Sequence, residues 1–404
     1  MNRYERYGWD EERYLAANPD VRMAVEQGVV RDGYHHWLLM GRQENRPGGG
    51  FDHPVAPTTR LCFDPWVNAE FTVDGRLKPC CNLRRGVTLD DDAGVAAAHG
   101  SELFRDLRHE ILTGNLCAEC SRCHIRPMVP VEQVITRLFP QLPPGAGLLD
   151  GGRAETVRID VTSRCNLRCV YCALSVEGAD PGRHMTDENL ERVGRFVESL
   201  GTVRTVGVNG HGETTHHPRW REFCDQLIAA GKPLSIITNL GRAYDDDEIA
   251  TLARFRIIEI SIDTADEGLL RRIRRKVDLS RIVTNMAHIR ARALMDGIAA
   301  PHFSFSCGLY DQSITRLEAF AALAVAVGVR TITFWDLQKY PDLPGQQNVQ
   351  PLSSLDDEAL AEGLACFDRA MVIFTKSRIR VTVAGNFLEP LRARAGRPRE
   401  VAAS

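Results

Sequence analysis

The sequence of 404 residues lacks both a long apolar segment and an excess of charge of one sign. Its best apolar stretch, 320–329, is far shorter than the roughly 20 residues that a membrane helix needs. The first residues, MNRYERYGWDEERY, are charged and contain no apolar signal core, so we expect a cytoplasmic protein. The formal net charge of -3 gives no reason to expect nucleic acid or an anionic membrane surface as a partner.

Cysteine, in contrast, is abundant. A cytoplasmic chain with twelve cysteines is not expected to use them as a disulfide framework, so their number favours metal binding or redox work. Their distribution is uneven, because six lie within 62–123, three lie within 165–172, and the remaining three are scattered. The two groups are therefore the first candidates for chemistry.

Breaker sequences rich in glycine and proline divide the chain into four predicted segments. These are a small helical module (1–50) that ends at RPGGG, a cysteine-rich segment (55–130), a core domain (154–340) that follows a second linker at 140–153, and a C-terminal extension (341–404) with one helix and a strand at 378–384. The first segment, with the pattern YL…NPDV…HW…G…E.R, resembles a module found beside glycosyltransferases and methyltransferases. This resemblance implies a glycan-related context, and the alternative is a plain docking or packing module.

After the second linker, β-branched apolar runs alternate with helical periodicity. Six strands are predicted, at 156–161, 203–208, 234–239, 257–262, 302–307 and 330–335. Such alternation implies parallel strands joined by right-handed crossovers, and the short apolar runs predict strands buried on both faces. Six units are too few for a closed eight-stranded barrel, so the expected fold class is α/β, with a partial (β/α)6 TIM-like barrel. Chemistry in such a fold is expected at the carboxyl ends of the strands.

The first predicted strand is followed by SRCNLRCVYCA, which spaces Cys165, Cys169 and Cys172 as C-x3-C-x2-C. Three thiolates so close together can hold one iron–sulfur cluster and leave a fourth iron without a protein ligand. A bare iron is what a substrate-binding cluster needs. A zinc site is the alternative, although zinc prefers four ligands, with a C-x2-C pair and a distant partner pair.

This triplet, with Tyr171 as its aromatic residue, resembles the CxxxCxΦC signature of the radical S-adenosylmethionine (radical SAM) superfamily. The resemblance covers about 156–335. It implies a 4Fe–4S cluster whose open iron chelates the amino and carboxylate groups of S-adenosylmethionine. It also implies that one electron cleaves this cofactor to a 5′-deoxyadenosyl radical, which abstracts hydrogen from a substrate, while the protein supplies position and excludes water.

Later strand ends agree with this resemblance. The segment NGHGET follows the second strand and matches the family's Gly-Gly-Glu segment, and a simple turn is the alternative. Here Gly210 and Gly212 are assigned to the cofactor site, where glycine lets the backbone approach a ligand, and Glu213 is expected to accept hydrogen bonds from the methionine ammonium. One of Arg272, Arg274 and Arg275 is expected to pair with the methionine carboxylate, and Arg274 is assigned to this role; the alternative is a solvated basic helix face. The other cofactor contacts that the resemblance implies are Thr238, Asn239, Ser261 and Asp263.

The earlier cysteine group surrounds a predicted hairpin, whose Asp74-Gly75 turn is a strong hairpin signal. One cysteine precedes the hairpin, two adjacent cysteines follow it, and three more form C-x2-C-x2-C after a helix. Such a hairpin and a C-x2-C pair can present four thiolates to one metal centre. The adjacent pair points in different directions along a strand, so both binding one iron is not expected.

The pattern C…PW…DG…CC…LR…G…C-x2-C resembles a SPASM-type auxiliary domain, which implies an additional 4Fe–4S cluster. The leading ligands are Cys62, Cys80, Cys117 and Cys120, with Cys81 and Cys123 as alternates. A structural zinc site is the alternative, because four thiolates with a C-x2-C pair also suit zinc. In relatives this domain is expected after the radical domain, whereas here it precedes it. The hypothesis is that it caps the open barrel and accepts an electron from a substrate radical or shapes the pocket.

Two side chains at later strand ends are further candidates. Cys307 ends the fifth strand and is assigned as a hydrogen-atom donor to a product radical, and the alternative is a buried free cysteine that behaves as a small apolar side chain. Trp335 ends the sixth strand and either lines the substrate pocket or packs in the core.

Together these patterns predict a radical SAM enzyme that acts on a carbohydrate-type or peptide substrate. The N-terminal module favours a carbohydrate or natural-product pathway. The expected partners are that substrate and an electron donor such as flavodoxin or ferredoxin. Two other interpretations stay open: a non-catalytic, metal-stabilised binding or scaffold protein, and a radical enzyme with structural zinc in place of the auxiliary cluster.

Overall fold

The computed structural model describes residues 4–88, 100–123, 125–143, 146–150, 152–175, 182–201, 203–337 and 349–396. The chain divides into two compact units. The first comprises Met1–Phe71, Gly75–Val157 and Ser199–Thr202, and the second comprises Thr72–Asp74, Arg158–Glu198 and Val203–Ser404. The main division falls a few residues after the predicted linker at 140–153. Within the described ranges, no helix is both long enough and apolar enough to cross a membrane.

Short strands and helices build the first unit. Its described strands are β1 (Thr58–Arg60), β2 (Asn68–Phe71), β3 (Arg76–Lys78), β4 (Val87–Thr88) and β5 (Met128–Pro130). Its described helices are α1 (Glu11–Ala17), α2 (Pro19–Glu26), α3 (Gly33–His36), α4 (Asp64–Val67), α5 (Glu102–Thr113), α6 (Ala118–Ser121) and α7 (Val131–Leu138). The predicted hairpin is present, since β2 and β3 pair antiparallel. Its turn contains Gly75 at a φ of 76°, a left-handed conformation that favours glycine.

Aromatic residues near the N-terminus share one core with α5 and α7. Trp9, Tyr14 and Trp66 are at most 1% exposed, and they belong to the same apolar cluster as Ile111 and Leu138. The segment at 1–50 therefore contributes to a core that it shares with the cysteine-rich segment. Burial of this aromatic surface is the main stabilising term that such a core offers.

The second unit contains the predicted α/β alternation. Its strands are β6 (Thr156–Ile159), which begins in the first unit, β7 (Thr205–Gly207), β8 (Leu234–Thr238), β9 (Ile257–Ser261), β10 (His302–Leu309), β11 (Thr331–Asp336) and β12 (Arg380–Val383). Its described helices are α8 (Asp187–Ser199), α9 (Trp220–Ala229), α10 (Asp246–Ala253), α11 (Glu267–Arg274), α12 (Leu279–Met295), α13 (Asp311–Ile314), α14 (Leu317–Ala326), α15 (Asp357–Lys376) and α16 (Leu388–Ala395). Strands β6 to β12 lie side by side in chain order. The pairs from β7 to β12 are parallel, so the partial barrel fold is confirmed.

The partial barrel contains one strand more than predicted. Strand β12 pairs in parallel with β11, with Arg380 opposite Thr331. The sequence interpretation placed this strand in a separate extension, because the proline- and glycine-rich stretch after 340 interrupts the alternation. Helix α15 followed by a β-branched strand repeats the βα rhythm, so this part of the extension continues the sheet.

The two faces of the sheet differ, and the prediction of strands buried on both faces holds for most of β10 but is wrong for β8, β9 and β11. One face packs on helices, where the ring centroids of Phe305 and Phe320 are 5.5 Å apart and those of Phe334 and Phe367 are also 5.5 Å apart. Alternate side chains point to the opposite face, where burial alternates to half-buried along β8, β9 and β11. We call this second side the inner face. Its polar residues are Arg158, Thr205, Ser235, Glu259, Ser261, His302, Ser304, Ser306, Thr331, Thr333, Arg380 and Thr382.

Candidate cluster and cofactor site

Three cysteines lie on the loop that follows β6, at the carboxyl end of the barrel strands. Cys165, Cys169 and Cys172 are free and half-buried. The amide of Val170, between them, donates to the carbonyl oxygen of Ile273 in α11 at 2.8 Å. The cysteine loop is therefore fixed against the helix that follows β9.

Asn166, within the cysteine motif, connects this loop to the end of β8. Asn239 Nδ2 donates to Asn166 Oδ1 at 2.9 Å, and the amide of Gly241 donates to Asn239 Oδ1 at 2.9 Å. Thr238 donates its hydroxyl to Glu213 at 2.8 Å. The structure thus brings the cysteine loop together with the predicted contact residues from the second and third strand ends. Asn166 was missed in the sequence, although it lies inside the motif.

The surroundings of the three thiols fit a cationic metal centre. Burial raises the pKa of Cys165 to about 11 and that of Cys169 to about 12, so free thiolates are disfavoured there. A bound metal ion supplies the positive charge that deprotonates a coordinating thiol. Three thiolates leave one iron of a 4Fe–4S cluster without a protein ligand, whereas a structural zinc site takes four protein ligands.

Glu213 is 3% exposed and is held by protein donors. Its Oε1 accepts from the hydroxyls of Thr215 and Thr238 at 2.9 and 2.8 Å, and its Oε2 accepts from the amide of Asn239 at 2.8 Å. Each carboxylate oxygen has about two acceptor positions, so Oε2 retains one for a ligand. These hydrogen-bond donors are hydroxyl and amide groups, and a ligand ammonium would add a charged donor.

The two glycines of the NGHGET segment are required by the protein's own backbone and side chains. A Cβ at Gly212 would lie 2.4 Å from the carbonyl oxygens of both Thr162 and Arg164, in the segment that leads into the cysteine loop. A Cβ at Gly210 would lie 1.9 Å from the carboxyl group of Asp160. The close approach that the sequence assigned to a ligand is thus made by the protein itself. Contact of these glycines with a cofactor stays a prediction.

Tyr171, Asp263 and Arg274 form a buried cluster. Arg274 Nε and Nη2 donate to Asp263 Oδ2 and Oδ1 at 2.8 and 3.0 Å, and the Tyr171 hydroxyl donates to Oδ2 at 2.9 Å. The amide of Gly308 donates to Oδ1 at 3.1 Å. Asp263 is 0% exposed and Arg274 is 5% exposed, so Arg274 does not lie on a solvated helix face. Direct contact of the three with a cofactor stays a prediction.

The ion pair of Asp263 with Arg274 lies next to the cysteine loop. Cys169 Sγ lies 3.7 Å from the carbonyl oxygen of Arg274. Three of the five described non-glycine residues with positive φ border the site: Leu240 at 48°, Arg275 at 50° and Lys276 at 55°. Such conformations are strained for residues with a Cβ and concentrate at functional sites.

Asp160, directly after β6, is a candidate that the sequence interpretation missed. Its Oδ1 is buried without a hydrogen-bond partner, while its Oδ2 lies 3.4 Å from His211 Nδ1. A buried acceptor without a donor is uncommon in native structures, so Asp160 offers a position for a ligand donor. The available signal was a polar residue at a strand end, the same signal that selected the later strand ends.

The remaining predicted residues lie at the ends of β9, β10 and β11. Ser261 is on the inner face, opposite Ser306 in the register. Cys307 is 0% exposed, with its Sγ 3.4 Å from the carbonyl oxygen of Asp263. Alternation along β10 places Cys307 on the helix-packed side with Phe305, which favours the buried-thiol interpretation over the hydrogen-donor one. Trp335 is on the inner face, and its ring centroid lies 5.5 Å from that of Tyr171.

In the first unit, the four leading cysteines of the upstream group are gathered together. Burial raises the pKa of Cys62, and it raises that of Cys80 to about 11. The pKa of Cys120 is raised first by burial and then by Cys117, Cys62 and Cys80. Thiols influence each other in this way only when they are close. The four can therefore converge on one metal centre.

Glu110 of α5 joins two of these cysteines, and the sequence interpretation missed it. The ligand atoms of Glu110, Cys117 and Cys120 all lie within 4.8 Å of one another, and the amide of Cys117 donates to Glu110 Oε2 at 3.1 Å. Two thiols with a carboxylate suit zinc as well as iron. Nothing in ELFRDLRHEILT distinguishes Glu110 from the other charged residues of the helix. The alternates lie close by: Cys81 is exposed, and Asn82 Nδ2 lies 3.6 Å from Cys123 Sγ.

The sequence of the barrel region matches a known family. Residues 159–324 match the family model of the Radical SAM superfamily. This range begins at the last residue of β6 and ends within α14. It therefore contains the cysteine triplet and the strand ends that surround it.

Curated relatives of this chain include GTP 3′,8-cyclases. The protein from Rhodopirellula baltica is 29% identical over 141 residues, which cover 33% of this chain and 38% of that relative. The protein from Caulobacter vibrioides is 32% identical over 177 residues, which cover 39% of this chain and 48% of that relative. The chain thus spans less than half the length of these relatives.

Two solved structures have a partly similar fold. SuiB from Streptococcus suis bound to S-adenosylmethionine has a TM-score of 0.46 and 15% identity, and the match covers 71% of this chain and 63% of SuiB. Native anSMEcpe with bound AdoMet has a TM-score of 0.41 and 18% identity, and the match covers 56% of this chain and 64% of anSMEcpe. At these values no substrate or activity carries over to this chain.

Proposed function

Residues 159–324 belong to the radical SAM superfamily, and from this premise we propose that the chain cleaves S-adenosylmethionine reductively and starts radical chemistry on a substrate. A 4Fe–4S cluster bound by Cys165, Cys169 and Cys172 is the cofactor of this reaction. The observation that carries the proposal is the position of the cysteine loop, which is bonded through Asn166 to Asn239, beside buried Glu213.

When bound, the cluster supplies the electron that breaks the carbon–sulfur bond of S-adenosylmethionine. Glu213 Oε2 would accept a hydrogen bond from the methionine ammonium, next to the amide of Asn239. Cleavage would yield methionine, and hydrogen abstraction from the substrate would yield 5′-deoxyadenosine and a substrate radical. An external donor of the flavodoxin or ferredoxin class provides the electron.

A carbohydrate-type substrate is the first candidate, in a natural-product or glycan-related modification. The polar inner face of the barrel supports it, together with the resemblance of the N-terminal segment to a module found beside glycosyltransferases. The competing substrate class is a peptide, so carbohydrates and peptides must be tested side by side.

For the upstream cysteines we propose a second metal centre on Cys62, Cys80, Cys117 and Cys120. An auxiliary 4Fe–4S cluster would accept an electron from a substrate radical or shape the pocket, whereas a zinc ion would be structural. Glu110, within 4.8 Å of two of these ligands, supports a metal at this place without deciding which one.

The proposal is tested by measuring 5′-deoxyadenosine from anaerobically reconstituted protein after reduction with dithionite. We expect product from the wild type and none from Cys172→Ala. The control Cys366→Ala removes a thiol from α15, outside both cysteine groups, and should retain the wild-type yield. An equal yield from Cys172→Ala would overturn the proposal. No product from iron-loaded protein, with or without candidate substrates, would favour the non-catalytic scaffold.

A further inference from the structure

The inner face of the partial barrel carries polar side chains on each strand from β7 to β11, beside the apolar Ile237 and Ile257. Thr205 Oγ1 and Ser235 Oγ lie 3.1 Å apart across β7 and β8, and His302 Nε2 lies 2.7 Å from Thr331 Oγ1 across β10 and β11. Between these pairs, Glu259 of β9 accepts a hydrogen bond from Ser306 of β10. Side chains that meet across neighbouring strands in this way must share one face.

The helix-packed side of the same strands is sealed, in contrast to the inner face. Ile258, Ile260, Phe305 and Phe334 are at most 1% exposed. Glu259, Ser261, Ser306, Thr331 and Thr333, which alternate with them, are half-buried. Burial of every second residue, with hydroxyls on the more open side, is the pattern of a wall that meets solvent or a ligand.

Ser304 carries a buried hydroxyl without a hydrogen-bond partner among the described residues. It is 5% exposed. In the register it lies between Glu259 and Thr331, at the centre of the inner face. A buried hydroxyl without a partner is uncommon, because hydroxyls normally find one in protein or water.

Glu259 is the other central group of this face. Burial raises the pKa of its carboxyl, and the Ser306 hydroxyl and the charge of Arg158 act in the opposite direction. Further ionisable side chains on this face, among the described residues, are Arg158 of β6, His302 of β10 and Arg380 of β12, which is opposite Thr331 in the register.

The spacing of these groups along the strands fits a ligand about the size of one ring. Ser306 is opposite Ser261, and Ser304 is opposite Glu259. Two residues along a strand correspond to about 7 Å. A ligand that reaches from the predicted cofactor contact Ser261 down to Ser304 would therefore span about one six-membered ring with its substituents.

Resting on the proposed radical SAM function, we propose that the inner face is the substrate-binding wall, and that Glu259, Ser304 and Ser306 bind a polyhydroxylated ring, a sugar or cyclitol. Hydroxyl groups of such a ring donate to the Glu259 carboxylate and both donate to and accept from the two serines. An apolar peptide side chain at this depth would leave the Ser304 hydroxyl without a partner and would remove water from the Glu259 carboxylate, which is unfavourable. Trp335, at the top of the same face, would meet the C–H side of the ring.

The test measures equilibrium binding, and separately 5′-deoxyadenosine formation, with a panel of monosaccharides, amino sugars and cyclitols, and with GTP and an unstructured peptide for comparison. We expect at least one polyol to bind and to stimulate 5′-deoxyadenosine formation. Glu259→Gln, Ser304→Ala and Ser306→Ala should each weaken binding of that polyol about tenfold, the loss of one good hydrogen bond. The matched controls Glu362→Gln and Ser377→Ala, at exposed positions, should bind it like the wild type.

Each result separates this inference from the proposed function. If the protein forms no 5′-deoxyadenosine but binds the polyol in the expected variant pattern, the wall is supported and the radical function fails. If 5′-deoxyadenosine forms but no polyol binds, or only GTP or the peptide stimulates, the inference is overturned and the radical function stands. Binding that is unchanged in all three variants overturns the location. Ser306→Ala, at a half-buried position, keeps the test available if Ser304→Ala does not fold.

Discussion

The two cysteine groups of this chain are built in different ways. The triplet lies on a loop between strand ends, held by Asn239, by Ile273 and, at its base, by a buried ion pair of Asp263 with Arg274. The upstream group gathers cysteines from both sides of a hairpin, and two of them share a space of 4.8 Å with Glu110. The triplet offers three thiols, whereas the upstream group offers four leading cysteines with a carboxylate beside two of them. Three thiolates favour a cluster with one open iron, and four thiolates leave zinc open as well.

The largest expected effect is a difference in 5′-deoxyadenosine formation between variants of the two cysteine groups. Cys169→Ala should abolish 5′-deoxyadenosine formation, because it removes one of three ligands of a cluster that the chain holds with no fourth thiolate. The double variant Cys117→Ala/Cys120→Ala should still form 5′-deoxyadenosine without substrate. Chromatographic measurement of that product checks both. If the double variant is as inactive as Cys169→Ala, the two centres do not act independently.

The buried ion pair under the triplet should be the most costly single element to break. Arg274→Met leaves the Asp263 carboxylate buried with its two ionic bonds lost, and should lower the free energy of unfolding by about 3–5 kcal/mol. The double variant Asp263→Leu/Arg274→Met should recover part of this loss, since both charges are then absent. Denaturant unfolding of the reduced apoprotein measures the free energy of unfolding of the wild type and of both variants. If Arg274→Met instead weakens cofactor binding and leaves stability unchanged, the role of Arg274 is to contact the cofactor.

Gly212 should tolerate no side chain. Gly212→Ala places a Cβ 2.4 Å from two carbonyl oxygens, so the segment leading into the cysteine loop must shift, at about 1–3 kcal/mol. Iron incorporation should fall with it. The matched control is Gly201→Ala, where an added Cβ would meet nothing within 4 Å. Thermal unfolding and iron content of both variants test this, and equal behaviour of the two would contradict the packing shown.

A smaller effect is expected at Glu110. Glu110→Gln should weaken metal binding by the upstream group about 10- to 100-fold, the usual effect of losing a carboxylate beside a metal ligand. The triplet should keep its metal. Glu119→Gln, on the short helix between Cys117 and Cys120, is the control. Competition with a chelator, followed by metal analysis, measures the change, and an unaltered affinity would remove Glu110 from the site.

Local patterns predicted much of this molecule. The spacing of Cys165, Cys169 and Cys172 and the alternation of strands and helices are encoded within short windows, so the triplet, the partial barrel and the hairpin before Cys80 were all accessible. The alternation within IIEIS and HFSFSC is also visible in the sequence, but the short apolar runs favour burial on both faces and obscure it. In an open barrel only the strand face that packs on helices must be apolar, and the opposite face can carry polar side chains.

Contacts between distant residues could not be predicted in the same way. Arg274 pairs with Asp263 and not with solvent, because α11 turns back under the cysteine loop. Glu110 reaches Cys117 because its helix ends close to the C-x2-C pair. Strand β12 joins the sheet only after an irregular stretch that hides the repeat. In each case the sequence contains suitable residues, but their meeting depends on the path of the chain.

The most direct test of the central claim is the iron and acid-labile sulfide content of anaerobically reconstituted wild type and of the triple variant Cys165→Ala/Cys169→Ala/Cys172→Ala. We expect the variant to lose about four irons and four sulfides per chain, the content of one 4Fe–4S cluster, while any metal of the upstream group is kept. Iron and sulfide that are unchanged in the triple variant would contradict the assignment of the radical cluster to this loop.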